Sequence, residues 1–472
     1  MLAAGKNGVS RKRLIGGLTG CAIALLMSFG INPPIGLTHP GMIGLGIFLC
    51  AVVFWIFEVF ADYVTAILMC SAWAGTRIVP FNIAFAQFST DSFWLLVGAL
   101  GLGVAVTKSG LLKRFSLVIM KLFPASFKGQ TAGLVVAGNL IGPLIPSVTA
   151  KCAIAAPFAL GVSNQMGYEK DSKGAAGLFG AMFIGFGVTG PAFLSSSFMC
   201  YTIKGLLPPD VQADLTWMAW AMNALPWALV MAILGYLAIQ LLYRPSEDMK
   251  MDRGYIDQQL AALGPMSQHE KIVSAVLVAC LLLWMTEKLH GVLAAVVALI
   301  AVCILIGLGV FEREDFRSGM AWDAIIFIGC IINISSVFPA LKIDKWLGMV
   351  AGPYLTPLVS NVWMFILVGS LTIYLVRFFI VSMTATFTIF VVIVTPFAVA
   401  AGINPFVTAF IIFTSVNVFH MFYQNSTYLA GYYAAGGMVS HSRMVKLSLA
   451  YMIISIVALA ACVPVWHLTG FI

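Results

Sequence analysis

The sequence predicts an all-α polytopic membrane protein, with about 11 transmembrane helices and two re-entrant hairpins in two inverted-topology repeats. Three observations predict it. The chain is 61% hydrophobic and 9% charged, with a mean hydropathy of +1.00, which lies outside the range of soluble globular domains. Most of its 472 residues fall in apolar stretches long enough to cross a hydrocarbon core. One short polar word also occurs twice inside apolar sequence, Ser147-Val148-Thr149-Ala150 and Ser382-Met383-Thr384-Ala385.

Crossings are expected near 14–31, 42–60, 63–80, 92–107, 175–203, 217–243, 272–288, 291–310, 322–338, 404–430 and 444–467. Two further regions, 131–165 and 355–402, each hold two apolar segments joined at a polar word. They read as hairpins that enter and leave on one side. Charge supports this order. With a cytoplasmic N-terminus, most of the 26 Lys and Arg face the cytoplasm, including Lys108, Lys113, Arg114, Lys121 and Lys128. Arg77, Lys204, Lys288, Lys342 and Lys345 fall outside, and counting either hairpin as a full crossing would invert every later loop. Arg11-Lys12-Arg13 resembles the charged flank of a signal peptide, but Asn32-Pro33-Pro34 replaces a small-residue cleavage site. An uncleaved first span in a bacterial inner membrane is the expectation.

The organisation follows: an N-terminal span (1–40), a first repeat (41–243), a cytoplasmic linker (244–271) and a second repeat (272–472). The linker is the long polar stretch, mixing Glu247, Asp248, Asp252, Asp257 and Glu270 with Arg244, Lys250, Arg253 and Lys271. Trp94 and Trp322 each open a span, a charged amphipathic stretch follows (108–128 and 340–352), and then comes the hairpin. The separation of the two tryptophans nearly equals that of Ser147 and Ser382. An odd number of crossings between equivalent elements gives the repeats opposite orientation, the arrangement associated with alternating access at a midplane site.

Several function classes lose their basis. The net charge of +8 reports topology rather than a nucleic-acid partner, and the nine cysteines lie singly with no C-x-x-C pair. The six histidines form no metal spacing, and no phosphate loop or H-E-x-x-H is present. The hydroxyls lack a nearby base, so no enzyme and no cofactor is expected. Trp217, Trp220, Trp227 and Trp466 read as interface anchors or packing.

The candidate chemistry lies at the twin words. In Gly142-Pro143-Leu144-Ile145-Pro146-Ser147-Val148-Thr149-Ala150-Lys151, Pro and Gly break the helix, so the half-helix that follows offers free N–H groups to an anion. Ser147 and Thr149 add hydroxyls and Lys151 a charge. The bland alternative is a capped helix start with a snorkelling Lys. At the second word Ser382 and Thr384 occupy the same places, and Arg377 is close enough to contribute potential. Thr386-Phe387-Thr388 is a rival register for that tip. Each hairpin is followed by a span with a second polar break, Thr189 to Ser197 with Ser195 near its centre, and Tyr423-Gln424-Asn425-Ser426-Thr427. Such breaks complete a substrate cage in transporters, although hydrogen bonding between helices explains any one serine as well. Glu58 and Asp62, at the end of the second span, are candidate proton carriers or plain helix caps.

With these residues assembled, the chain resembles the divalent anion/sodium symporter family, above all its citrate/succinate and 2-oxoglutarate/malate exchanger branch. The resemblance rests on Pro146-Ser147-Val148-Thr149-Ala150-Lys151, Ser382-Met383-Thr384-Ala385, Leu215 to Trp220, Arg244-Pro245, Ala321-Trp322-Asp323 and Gly437 to Ser440. It implies an elevator-type homodimer in membrane lipid that carries di- or tricarboxylates, or sulfate, on a moving unit containing the hairpins. Family members carry Ser-Asn-Thr at both tips, next to substrate and sodium. Val148 and Met383 replace both Asn here, leaving Na+ sites near 147–149 and 382–384 without firm ligands. The expectation is a secondary transporter of a small organic anion, by exchange or ion-coupled alternating access. Ser147, Val148, Thr149, Lys151, Ser195, Ser382, Met383, Thr384, Asn425, Ser426 and Thr427 are its substrate-site candidates. The alternatives are a cation/proton antiporter or channel, and a sulfate or sulfonate transporter.

Overall fold

The computed structural model describes residues 11–247, 249–252 and 254–472; residues 1–10, Asp248 and Arg253 lie outside them. The described residues are helical, with no strand among them. Among the described residues, nine helices are long and apolar enough to cross a membrane, or up to ten if one bent pair forms a single span.

Local signals set the boundaries. Thr38 caps His39–Phe57, which ends where Glu58 takes a left-handed φ of 53°. Thr216 caps Trp217–Tyr243, the predicted 217–243 span. The predicted 175–203 span breaks into Lys173–Met182, a π turn Phe183–Val188, two short turns around Pro191, and Phe198–Leu206. The 404–430 span likewise divides into Pro405–Val416 and Ser426–Ala434. Trp322–Ile331 and Ile334–Ala340 share the 322–338 span, with Asn333 at the join.

Both hairpins form around their polar words, with arms Phe127–Ile141 and Val148–Gln165, then Val362–Val376 and Met383–Ala400. The second hairpin starts later than position 355. Helix Ile343–Ser360 runs into that region and bends by 114° at its join with Val362–Val376. Pro353 and Pro357 weaken the end of the first helix, and the Asn361 side chain accepts from Met364 N–H at 3.1 Å to start the next.

The hairpins pack directly on the broken segments. A Cβ on Gly138 would lie 2.2 Å from the Gly185 backbone, so only glycine permits this approach. Trp220, Trp227 and Trp466 are fully buried around Phe406 and Phe410, so these three serve packing rather than an interface. The linker docks on amphipathic helix Leu111–Lys121: Arg114 Nε donates to Glu270 at 2.6 Å, and Lys121 meets Asp257 at 2.5 Å.

Candidate functional site

Four helices begin at one cavity. They are the second arms of the two hairpins, Val148–Gln165 and Met383–Ala400, and the segments after the two breaks, Phe198–Leu206 and Ser426–Ala434. Each start is capped by a side chain. Ser147 Oγ accepts from Ala150 N–H at 3.3 Å, Ser382 Oγ from Ala385 N–H at 3.2 Å, Ser197 Oγ from Met199 N–H at 3.3 Å, and Asn425 Oδ1 from Tyr428 N–H at 2.9 Å. Four helix starts, each with its partial positive charge, therefore border one cavity, although the first N–H groups of Phe198–Leu206 are already taken, Phe198 N–H by Pro146 O at 2.8 Å and Cys200 N–H by Ser197 O at 3.0 Å.

The walls come from both halves of the chain. The first tip supplies Val148 and Thr149, and the first break supplies Gly187, Gly190, Pro191, Ser197, Phe198 and Met199. The second half supplies Met383, Phe413, Asn417, Ser426 and Thr427. Thr149 Oγ1 and Thr427 Oγ1 lie 3.2 Å apart, joining the first tip to the second break. Among the described residues, no Asp or Glu lines the cavity. The enclosed space is about 30 Å³, room for one or two waters. Admitting a dicarboxylate requires the tips and breaks to separate.

The two hairpin cations do not line this cavity. Lys151 is almost completely buried, and its Nζ donates to Gly142 O at 3.3 Å and Ser196 O at 3.0 Å. Arg377 is fully buried, and its guanidinium donates to Ile380 O at 2.5 Å, Val381 O at 2.9 Å and Gln424 O. Gln424 Nε2 returns a bond to Arg377 O at 3.0 Å. In each half, then, a cation ties the hairpin turn to the broken segment behind it. Neither has a carboxylate partner among these bonds.

The other predicted residues divide in two. Val148, Thr149, Met383, Ser426 and Thr427 line the cavity. Ser147, Ser382 and Asn425 stand one residue behind it as caps. Thr384 is half-buried and not a wall residue. Ser195 is structural: its Oγ donates to Pro143 O at 2.7 Å and accepts from Trp217 Nε1 at 2.9 Å. In the rival register, Thr386 Oγ1 bonds back to Ser382 O at 2.8 Å within its own helix. Phe413 and Asn417 were not foreseen. Asn417 takes both a carbonyl and a side-chain contact from Asn425 Nδ2, at 3.1 and 3.4 Å, which bends the chain through the second break. Among the described residues no group of three His, Cys, Asp or Glu is placed to hold a metal ion.

A many-spanning helical chain whose broken helices meet at one internal cavity has the architecture of a membrane transporter. The chain belongs to the divalent anion/sodium symporter family, since a family model described as the sodium:sulfate symporter transmembrane region matches residues 12–471. It is similar to the putative malate transporter YflS of Bacillus subtilis, 26% identical over 73% of this chain and 73% of that protein. It is also similar to the chloroplastic dicarboxylate transporter 2 of Spinacia oleracea, 25% identical over 72% of this chain and 62% of that one. In fold it resembles the solved YdaH transporter of Alcanivorax borkumensis, with a TM-score of 0.55 and 16% identity over 84% of this chain and 89% of that one.

Proposed function

We propose that this protein is a secondary transporter of small organic anions, di- or tricarboxylates, working by alternating access. The observation that carries this reading is the convergence of four capped helix starts on a cavity with no acidic lining. The two carboxylates of one substrate would share the N–H groups that open Val148–Gln165, Met383–Ala400 and Ser426–Ala434. The Thr149 and Thr427 hydroxyls would supply hydrogen bonds, and Lys151 and Arg377 would supply charge from behind. The kinds of anion named for the Bacillus and spinach relatives agree with this reading.

The acid-free lining speaks against a cation antiporter or channel, which needs acceptors or negative charge where its ion sits. The paired hairpins and breaks support inverted repeats, with the hairpins carried on an elevator-like unit of a homodimer in an inner membrane. Val148 and Met383 put apolar side chains where the family has amides, which favours exchange or proton coupling over sodium coupling. A thermal-shift screen of the purified protein tests the reading. Malate, 2-oxoglutarate or citrate should raise Tm in proportion to the logarithm of its concentration, with or without sodium. A rise with sulfate alone would select the sulfate reading, and a rise with none would remove the anion site.

A further inference from the structure

Neither hairpin contains an Asp or Glu, and segments 173–206 and 405–434 contain none either. A carboxylate nevertheless reaches the second hairpin tip from far away in the chain. Ser382 Oγ donates to Asp62 Oδ2 at 3.1 Å while the same oxygen accepts from Ala385 N–H at 3.2 Å. Asp62 is half-buried and opens helix Asp62–Gly75. Its place is fixed locally: the left-handed turn at Glu58 ends the preceding helix, and Trp55 Nε1 donates to Asp62 O at 3.2 Å.

The Ser382 hydroxyl thus stands between a carboxylate and the start of a helix whose next residue, Met383, is a cavity wall. A dianion at that helix start and an ionised Asp62 are like charges drawn to the same positive end. Protonating Asp62 removes the repulsion and weakens its hold on Ser382. Resting on the transport reading above, we propose that Asp62 is a proton-binding site of the transport cycle, loaded together with the dianion, and that this makes the protein a proton-linked carboxylate transporter. The proton passes from water on the loading side to the Asp62 carboxylate, and returns to water on the far side as the dianion leaves and the contact with Ser382 re-forms. Because linkage is reciprocal, proton and dianion raise each other's affinity by the same factor.

The surrounding charges leave this role to Asp62. Glu58 is a like charge near it, but is exposed and lies 3.6 Å from Lys12. The first helix brings Arg11, Lys12 and Arg13, the second brings His39 at its opposite end, and helix Trp322–Ile331 brings Asp323 at its start. Tyr63 neighbours Asp62 in sequence, and the Arg377 guanidinium is taken up by carbonyls.

The test uses the whole protein in liposomes holding a pH-sensitive dye, with labelled malate as probe between pH 6.5 and 8.5, where malate stays a dianion. In the wild type the half-saturating malate concentration should rise by about tenfold per pH unit once free Asp62 is ionised, as one linked proton requires. Uptake should also acidify the lumen. Asp62→Asn should reduce that pH dependence to under about twofold, whereas Glu58→Gln should keep it. If Asp62→Asn fails to fold, the wild-type dye signal decides alone. Malate uptake with no luminal acidification and a pH-independent half-saturation would overturn the proton site and leave the transport reading standing. Uptake of neither malate, 2-oxoglutarate nor citrate would overturn the transport reading, and the proton site with it.

Discussion

Arg377 and Gln424 are bonded in both directions: the guanidinium donates to Gln424 O, and Gln424 Nε2 donates to Arg377 O at 3.0 Å. The pair fastens the turn of the second hairpin to the second broken segment. Lys151 does the same in the first half, through Gly142 O and Ser196 O.

Removing either cation should therefore cost stability first. Arg377→Met leaves three carbonyls without this donor, that of Gln424 buried and those of Ile380 and Val381 partly so, and should destabilise by about 2–4 kcal/mol. Arg377→Lys should recover only part of this, because an ammonium cannot reproduce the planar fork. Lys151→Met should lose about 1–3 kcal/mol. Thermal unfolding in detergent measures all three, and wild-type melting of Arg377→Met would refute the fastening role.

The contact between Thr149 and Thr427 should behave in the opposite way. Thr149→Val and Thr427→Val each delete one cavity hydroxyl without disturbing a cap. Each should weaken dicarboxylate binding by roughly tenfold to a hundredfold, the worth of one hydrogen bond to a charged group. Tm without ligand should stay close to wild type. Ligand titration of Tm separates the two effects.

Val148 and Met383 test the coupling ion. Both line the cavity in place of the family's amides. The wild type should transport equally well when potassium replaces sodium. The double substitution Val148→Asn with Met383→Asn should introduce a sodium-dependent rise in Tm, because two amide oxygens are added at the helix starts. Sodium-dependent uptake by the wild type would contradict this account.

Asp171, in the loop before helix Lys173–Met182, predicts a pH response outside the membrane. The Ser440 backbone N–H donates to its carboxylate at 2.9 Å, and the Ser440 hydroxyl and Arg443 add to this, holding the group below the ordinary carboxylate range. A group whose pKa is lower when folded contributes stability that is complete above its unfolded pKa, about 3.9, and is lost as pH falls through the folded value. Asp171→Asn should lower Tm at pH 7, and its deficit should shrink below about pH 4. A deficit unchanged at acid pH would remove the carboxylate from this role.

Much of this architecture is legible because it is written locally. Trp217–Tyr243 follows from an apolar run between the Thr216 cap and Arg244-Pro245. The tips follow from proline, glycine and hydroxyls inside apolar sequence, and Val148 and Met383 take wall positions that their words mark out. The direction of a side chain is not written locally. Lys151 and Arg377 turn to carbonyls freed by breaks 45 and 47 residues further on, and Ser195 turns to a carbonyl 52 residues before it. Asn417 gave little signal, being one amide in an apolar run whose partner, Asn425, lies beyond the bend. The approach of Asp62 to Ser382 spans 320 residues and depends on how the two halves pack.

The central claim is that the cavity between the four helix starts carries organic dianions across the membrane. Counterflow in proteoliposomes tests it most directly, with labelled malate outside and unlabelled carboxylates inside. The account predicts that at least one luminal di- or tricarboxylate accelerates entry of the label, and that Thr149→Val raises the concentration needed. Entry unaffected by any luminal di- or tricarboxylate would contradict it.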